Sequence, residues 1–212
     1  FLLIVSSLFA HKINLFVTNE ENGVHIYSYF ASGDPCKNCK LIIKNGENII
    51  VRCLQKDDAG LLANYLTALS VESKSRFGPH PFDRSTVEQI CKRIDDDDII
   101  RYVALHNDNI ISYMLVKHGL IEWDAIRLGE EQQFFDYGCT ATFAPSVLDA
   151  WQNSGLGTAM FQVILDDLRR KKYKQVLLWG GVQAGNKRAV HFYEKHGFKR
   201  IGSFWHDGKD NH

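Results

Sequence analysis

The strongest constraint on the fold is an apolar segment that runs into a glycine-spaced turn and then into a helical pattern. Residues 147–157 read Val-Leu-Asp-Ala-Trp-Gln-Asn-Ser-Gly-Leu-Gly, and residues 158–171 have the spacing of an amphipathic helix. Gly155 and Gly157 remove side chains where that helix begins, so successive backbone N–H groups can surround an anion at the positive end of the helix dipole. The pattern therefore predicts a phosphate site, although the same glycines can also serve only as a tight turn.

A second motif follows at a fixed distance. The apolar run 175–179 precedes a glycine-rich stretch and another helical pattern, whose marked positions are Asn186, Ala189, Phe192, Tyr193, Gly197 and Phe198. Taken with Val147, Gln152, Gly155 and Gly157 of the first motif, this arrangement resembles the acetyl-CoA-binding core of the GNAT N-acetyltransferase family. The likeness extends, more loosely, over about residues 50–205. It implies a GNAT acyltransferase fold of the α+β (α/β) class, with a mixed central sheet flanked by helices.

The resemblance also implies a cosubstrate, acetyl-CoA, and a set of residues that bind it. These residues are Phe143, Val147, Gln152, Asn153, Ser154, Gly155, Leu156, Gly157, Thr158 and Asn186. Family members pair the pantetheine arm with the backbone of the central strand, here residues 139–147, where Pro145 suits a bulge or an opening in the sheet. Many relatives place Arg or Lys at the positions of residues 152–154. Here the pyrophosphate is therefore expected to rest mainly on backbone N–H groups.

The implied reaction is direct acetyl transfer to an amine, without a covalent enzyme intermediate. Such a reaction needs a deprotonated amine, an N–H donor for the oxyanion and an acid for the departing thiolate. Tyr193 matches the general-acid tyrosine of the family. The alternative, a core aromatic, would require a buried partner for its hydroxyl. The base stays open, because a water chain can serve and several side chains have suitable chemistry. The candidates are Glu122, Asp124, Asp136 and His80.

The remaining patterns follow the order of the family fold. Strands are predicted at 49–54, 99–105 and 110–117, and helices at 59–69 and from 85 or 86 to 94. Residues 119–138 are predicted to be irregular and to border the acceptor pocket, with a solvated loop as the alternative. Residues 206–212 read as a turn. The last strand of the family sheet is therefore expected to be missing, as in a fragment or a fusion.

The first part of the chain has a different pattern. Residues 1–10 are apolar and end in a small residue, which fits either a signal-peptide remnant or a buried edge strand. Residues 11–46 alternate between apolar stretches and turn residues and predict a small antiparallel β unit. This unit weakly resembles the exported β-sandwich domain of bacterial nickel and cobalt uptake systems. Asn45-Gly46 is a hairpin signal, so we place a boundary there and assign residues 47–212 to the acetyltransferase domain.

Composition restricts the partners. Lys and Arg number 25, as do Asp and Glu, so the charge balance gives no reason to expect nucleic acid or an anionic membrane surface. The run 1–10 is too short to span a bilayer, so no stable membrane span is predicted. The expected acceptor is an amine of a small molecule or peptide. The oligomeric state cannot be inferred from the sequence.

Cysteine use bears on the compartment and on metal binding. The five cysteines are an odd number, which is a poor match to a disulfide framework. Cys36 and Cys39 have Cys-x-x-Cys spacing, but a structural zinc site needs about four ligands and no second pair follows, so no metal is predicted. We expect a cytoplasmic N-acetyltransferase. The alternative is an exported, metal-related β module fused to an inactive or truncated acetyltransferase-like domain, if residues 1–10 are a signal-peptide remnant.

Overall fold

The computed structural model describes the backbone of residues 13–20, 23–30, 40–44, 47–96, 98–130 and 135–212. Within these ranges β1 (Ile13–Glu20) and β2 (Gly23–Phe30) form an antiparallel hairpin. The central sheet has six described strands, which follow one another in chain order: β3 (Lys40–Lys44), β4 (Glu47–Cys53), β5 (Ile99–His106), β6 (Asn109–His118), β7 (Thr140–Val147) and β8 (Gln175–Leu178). Residues 1–10, for which a signal-peptide remnant was considered, and the Cys36/Cys39 pair lie outside the described ranges.

Helices cover both faces of the sheet. They are α1 (Ala59–Ala68), α2 (Val71–Lys74), α3 (Arg84–Lys92), α4 (Glu122–Glu130), α5 (Leu156–Arg170) and α6 (Lys187–Lys195). Because strand side chains alternate between faces, Val103 and Tyr113 pack toward α1 and α3, whereas Tyr102 and Met114 pack toward α5. Neighbouring strands are antiparallel except β7 and β8, which are parallel. The predicted mixed sheet flanked by helices is confirmed.

A buried ion pair joins the end of β4 to the start of α1. The guanidinium of Arg52 donates to both carboxylate oxygens of Asp58, at 2.6 and 2.8 Å. The two side chains are only 3% and 2% exposed. Asp58 also accepts the N–H of Gln55 at 2.8 Å, and Arg52 donates to the carbonyl of Cys53 at 3.0 Å. These bonds satisfy most of the polar groups that the pair removes from water.

The prediction that residues 119–138 are irregular is wrong over residues 122–130, which form α4. Asp124 on this helix is 3% exposed, accepts the N–H of Gly180 at 2.9 Å and pairs with Arg127 one turn later. Arg127 also lies over the ring of Phe204, with 3.5 Å between its guanidinium carbon and the ring centroid. A carboxylate thus occupies part of the buried face, so the hydrophobic periodicity that predicts helices is weak in this segment.

The end of the chain is also more regular than predicted. β9 (Phe204–His206) and β10 (Lys209–Asn211) form an antiparallel hairpin. Its turn and its second strand lie within residues 206–212, which were predicted to be a turn only. Asp207 and Gly208 at its tip both have positive φ, +51° and +69°, as an Asp-Gly two-residue turn requires. His212 and Val182 exchange two backbone hydrogen bonds of 2.8 Å, so the hairpin pairs with the loop after β8. Among the described residues, no strand after β8 joins the central sheet.

Strand β3 precedes the boundary predicted near residue 46, yet it belongs to the central sheet. It pairs with β4 in the register Leu41 to Ile50, and Lys40 forms an ion pair of 3.3 Å with Asp166 of α5. Ile42 packs against the core under α5. From the sequence this strand was assigned to the N-terminal β unit, because the Asn45-Gly46 turn between it and β4 was interpreted as a domain boundary. That turn closes a hairpin within one sheet.

Two truncated chains should therefore differ in stability. Removing residues 1–46 should lower the free energy of unfolding by about 2 kcal/mol relative to removing residues 1–38, because only the shorter deletion retains β3 and buries Ile42. Urea denaturation of both chains measures the difference. Equal unfolding midpoints would show that β3 adds nothing to the fold and would support a boundary at residue 46.

Candidate active site

The two parallel strands, β7 and β8, lie at one end of the described sheet and separate partway along their length. Pairing between β7 and β8 ends at Phe143 and Leu178, whereas β6 pairs with β7 as far as Val147. The N–H of Trp179 donates to the carbonyl of Phe143 at 2.9 Å, so this carbonyl is already used within the protein. Beyond it, no described strand pairs with this edge of β7. Strand alternation directs the carbonyl of Pro145 and the N–H of Val147 toward the resulting gap.

The turn that follows β7 presents backbone N–H groups at the start of α5. Asn153 and Gly155 have left-handed backbone angles, with φ of +60° and +81°. The N–H of Leu156 donates to the hydroxyl of Ser154 at 3.3 Å, and Ala159 makes the first helical bond, to Gly155. The N–H groups of Gly157 and Thr158 have no acceptor among the described residues. Two adjacent donors at the positive end of a 15-residue helix are suited to bind an anion.

The side chains of this turn have other partners. Leu156 is fully buried in the core, and the hydroxyl of Thr158 lies 3.2 Å from Nε2 of His196. Ser154 donates its hydroxyl to the carbonyl of Trp151 at 2.6 Å. The amide of Gln152 donates to the carbonyl of Val147 at 3.0 Å. Within the described structure, these residues therefore offer an anion mainly backbone groups.

Gly157 brings the start of α5 close to β7 and α6. A Cβ atom on Gly157 would lie 3.6 Å from Phe192 and 3.9 Å from Val147, which is ordinary van der Waals contact. Asn186 begins α6, and its side-chain oxygen accepts the N–H of Ala189 at 3.3 Å, as an N-cap does. The structure thus brings Val147, Gly157 and the α6 motif together.

Tyr193 lies in the core between the sheet and α6. It is 9% exposed, and its ring packs against the rings of Phe192 and Phe198, with centroids 5.3 Å apart in each case. No described residue forms a hydrogen bond with its hydroxyl. Burial raises the pKa of Tyr193 well above its ordinary value, so the phenol stays protonated at neutral pH and can donate a proton but not accept one.

The four candidate bases lie in different environments. Glu122 and Asp136 are exposed, and Asp136 caps a short 3₁₀ turn by accepting the N–H of Gly138 at 3.0 Å. Asp124 is buried, and burial raises its pKa. Nδ1 of His80 donates to the carbonyl of Pro81 at 2.7 Å, and its buried Nε2 has no partner in the described part of the chain. Burial lowers the pKa of His80 and favours the neutral ring.

Sequence reasoning missed a polar cluster beside the turn. Asp149, in a 3₁₀ turn after β7, accepts the N–H of Ser70 at 3.0 Å and the hydroxyls of Ser70 and Ser73 at 2.8 Å each. Ser70 is the N-cap of α2, and its hydroxyl accepts the N–H of Ser73. The sequence signal for this cap is weak, because Ser73 stands where a capping box has Glu or Gln. Nothing local to Asp149 indicates a partner more than seventy residues earlier in the chain.

Comparison with known proteins agrees with this geometry. A model of the Acetyltransferase (GNAT) family matches residues 65–198, more than half of the chain. The GNAT domain of S. lividans PAT superposes with a TM-score of 0.65 at 19% identity, covering 83% of this chain and 96% of that domain. A GNAT-family acetyltransferase from Streptococcus pneumoniae gives 0.55 at 20% identity, covering 74% and 87%. The aminoglycoside acetyltransferase AAC(6')-Ib in complex with coenzyme A gives 0.57 at 20% identity, covering 77% and 91%.

At these identities the superpositions establish the fold alone. No curated protein sequence matches the chain. The family match starts at residue 65, and no finding supports the resemblance of residues 11–46 to nickel and cobalt uptake domains. In the part of the chain that the structure describes, no helix is long and apolar enough to cross a membrane.

Proposed function

The chain belongs to the GNAT acetyltransferase family, and on this premise we propose that it transfers acetyl directly from acetyl-CoA to an amine of a small molecule or peptide. One observation carries the proposal. The β7 edge and the N–H groups at the start of α5, both without partners among the described residues, lie side by side, since a Cβ on Gly157 would be 3.9 Å from the side chain of Val147. An extended arm that ends in a pyrophosphate matches both sets of groups.

The proposed cosubstrate site is built largely from main-chain groups. The N–H groups of Gly157 and Thr158 would hold the pyrophosphate, with Asn153, Ser154 and Gly155 completing the turn. The β7 edge would pair with the pantetheine arm. Other residues support this site indirectly. Phe143 and Leu156 pack in the core beneath it, Gln152 donates to the carbonyl of Val147, and Asn186 caps α6.

In the proposed reaction the amine nitrogen forms a bond to the thioester carbonyl carbon, and the carbon–sulfur bond then breaks. The N–H of Val147 is the donor for the developing oxyanion. Tyr193 donates its phenolic proton to the departing thiolate. The amine loses its proton to a base, for which the four side chains described above and a water chain remain the candidates.

The acceptor class follows from this chemistry. AAC(6')-Ib, which shares the fold, is an aminoglycoside acetyltransferase, so amine-rich small molecules of that kind are the first acceptors to assay. The chain carries no excess charge that would favour nucleic acid. A cytoplasmic location is proposed because acetyl-CoA is a cytosolic cosubstrate.

The glycine turn can be tested by thermal unfolding. CoA should raise the melting temperature of the wild-type protein, because a ligand that binds only the folded state stabilises it. Gly155→Ala should largely abolish this shift, since a residue with a Cβ at a φ of +81° costs about 1–2 kcal/mol and would displace the N–H groups.

Gly60→Ala is the matched control. It makes the same change on α1 at a site where the new Cβ meets no atom within 4 Å. This variant should keep the full CoA shift. An equal shift in all three proteins would contradict the assignment of the turn.

A further inference from the structure

A hydrogen-bonded chain of side chains connects the cosubstrate turn to α2. The amide nitrogen of Gln152 donates to the carbonyl of Val147 at 3.0 Å and to the hydroxyl of Ser73 at 3.3 Å. Ser73 in turn donates its hydroxyl to Asp149 at 2.8 Å. Every donor in this chain has an acceptor, so the network has one consistent direction, from Gln152 through Ser73 to Asp149.

The network depends on an ionised carboxylate. Asp149 accepts three hydrogen bonds, and all three partner groups are donors. An ionised carboxylate, which carries no hydrogen, is therefore the form that fits this site. Asp149 is an exposed residue. The desolvation that opposes its ionisation is outweighed by the hydrogen bonds from Ser70 and Ser73, which hold the pKa of Asp149 below its ordinary value. Asparagine at this position has only one oxygen that can accept hydrogen bonds, and its NH₂ group cannot accept any. It would therefore leave at least one of the surrounding donors without an acceptor.

A second hydrogen bond holds the C-terminal end of residues 70–75. The side-chain amide of Gln183 donates to the carbonyl of Ser75 at 2.9 Å. Residues 70–75 are therefore tied to the chain after β7 and to the chain after β8, on either side of the gap between these strands. The segment also joins α1 to α3, the helices that cover the sheet face opposite α5.

We propose that Asp149 is a positioning residue that couples occupancy of the cosubstrate turn to the order of residues 70–75. The inference rests on the proposed function of that turn. A ligand that orders Val147 also orders Asp149, two residues later, and Ser73 donates its hydroxyl to Asp149 at 2.8 Å while receiving only a 3.3 Å bond from Gln152. Asp149 then fixes the rest of the segment through Ser70. Such linkage is a coupling free energy between two sites.

Amide hydrogen exchange with and without CoA tests the coupling in the full chain. In the wild type, CoA should slow exchange at residues 153–158 and also, by about fivefold or more, at residues 73–75. In Asp149→Asn, CoA should still protect residues 153–158 but no longer residues 73–75. Ser73→Ala, which removes the link without changing charge, should give the same result.

Asp83→Asn is the matched control. Asp83 also accepts a backbone N–H and a hydroxyl, both from Thr86 at 2.9 and 2.6 Å, but these bonds lie within one helix end. This variant should keep the response of residues 73–75 to CoA.

Each other outcome has a distinct meaning. Absence of protection at residues 153–158 in the wild type would refute the proposed cosubstrate site and the coupling with it. Protection there without protection at 73–75 in the wild type would overturn the coupling alone. Protection of both segments in Asp149→Asn would overturn the role given to Asp149, whatever the result with Ser73→Ala.

Discussion

Tyr193→Phe should lower kcat for acetyl transfer by about 10²- to 10⁴-fold, the usual contribution of a positioned acid. The substitution keeps the ring that packs against Phe192 and Phe198 and deletes only the hydroxyl. That hydroxyl forms no hydrogen bond within the described structure, so its loss should change the free energy of unfolding by less than about 1 kcal/mol. A large loss of turnover with little loss of stability would therefore identify a proton donor. Steady-state kinetics with acetyl-CoA and urea denaturation measure the two quantities.

Tyr102→Phe is the control for this prediction. Tyr102 is also buried, but its hydroxyl donates to Asp167 on α5 at 2.5 Å. Removing it should cost stability, by about 1.5–3 kcal/mol for a bond to a charged group, and leave turnover within about threefold. If Tyr193→Phe retained full turnover, the hydroxyl would have no acid role and solvent would have to protonate the thiolate.

Arg52→Met should lower the free energy of unfolding by about 3–5 kcal/mol, because it leaves the carboxylate of Asp58 buried without its partner. Asp58→Leu should have an effect of similar size, since it leaves the guanidinium buried and unpaired. The double variant Arg52→Met/Asp58→Leu should recover part of the loss, although the N–H of Gln55 and the carbonyl of Cys53 then lack partners. Denaturation midpoints of the four proteins measure the coupling.

Glu88→Gln provides the comparison at the surface. Glu88 and Arg84 form an ion pair on α3 with side chains 59% and 85% exposed. Its loss should change stability by less than about 0.5 kcal/mol, because exposed pairs are screened by water. Equal effects for Arg52→Met and Glu88→Gln would show that burial of the Arg52 pair does not matter to the fold.

The parts of the fold that the sequence predicts well are those with a strong apolar period. Helices predicted at 59–69 and 158–171 correspond to α1 and α5, with ends that differ by no more than two residues. The missed helix α4 is the one whose inward face carries a buried aspartate, Asp124. The missed C-terminal hairpin has strands of three residues each, too short to show an alternating pattern.

The same distinction applies to the candidate site. The glycine turn was predictable because a backbone property, the left-handed angle at Gly155, depends on residue type at that position. Partners brought in by tertiary folding were not. Thr158 lies beside His196, which is 38 residues later, and Asp149 bonds to Ser70, which is 79 residues earlier. Pairings of this kind depend on the topology of the sheet and leave no local pattern.

Calorimetric titration with CoA measures cosubstrate binding without requiring the identity of the acceptor. We expect the wild-type chain to bind one CoA molecule. Gly155→Ala should bind CoA at least tenfold more weakly, a loss of about 1.4 kcal/mol, and Gly60→Ala should bind it with unchanged affinity. Adenosine, which lacks the pyrophosphate, should bind far more weakly than CoA. Absence of CoA binding to the wild-type chain, or equal affinity in all three proteins, would contradict an acetyl-CoA site between β7 and α5.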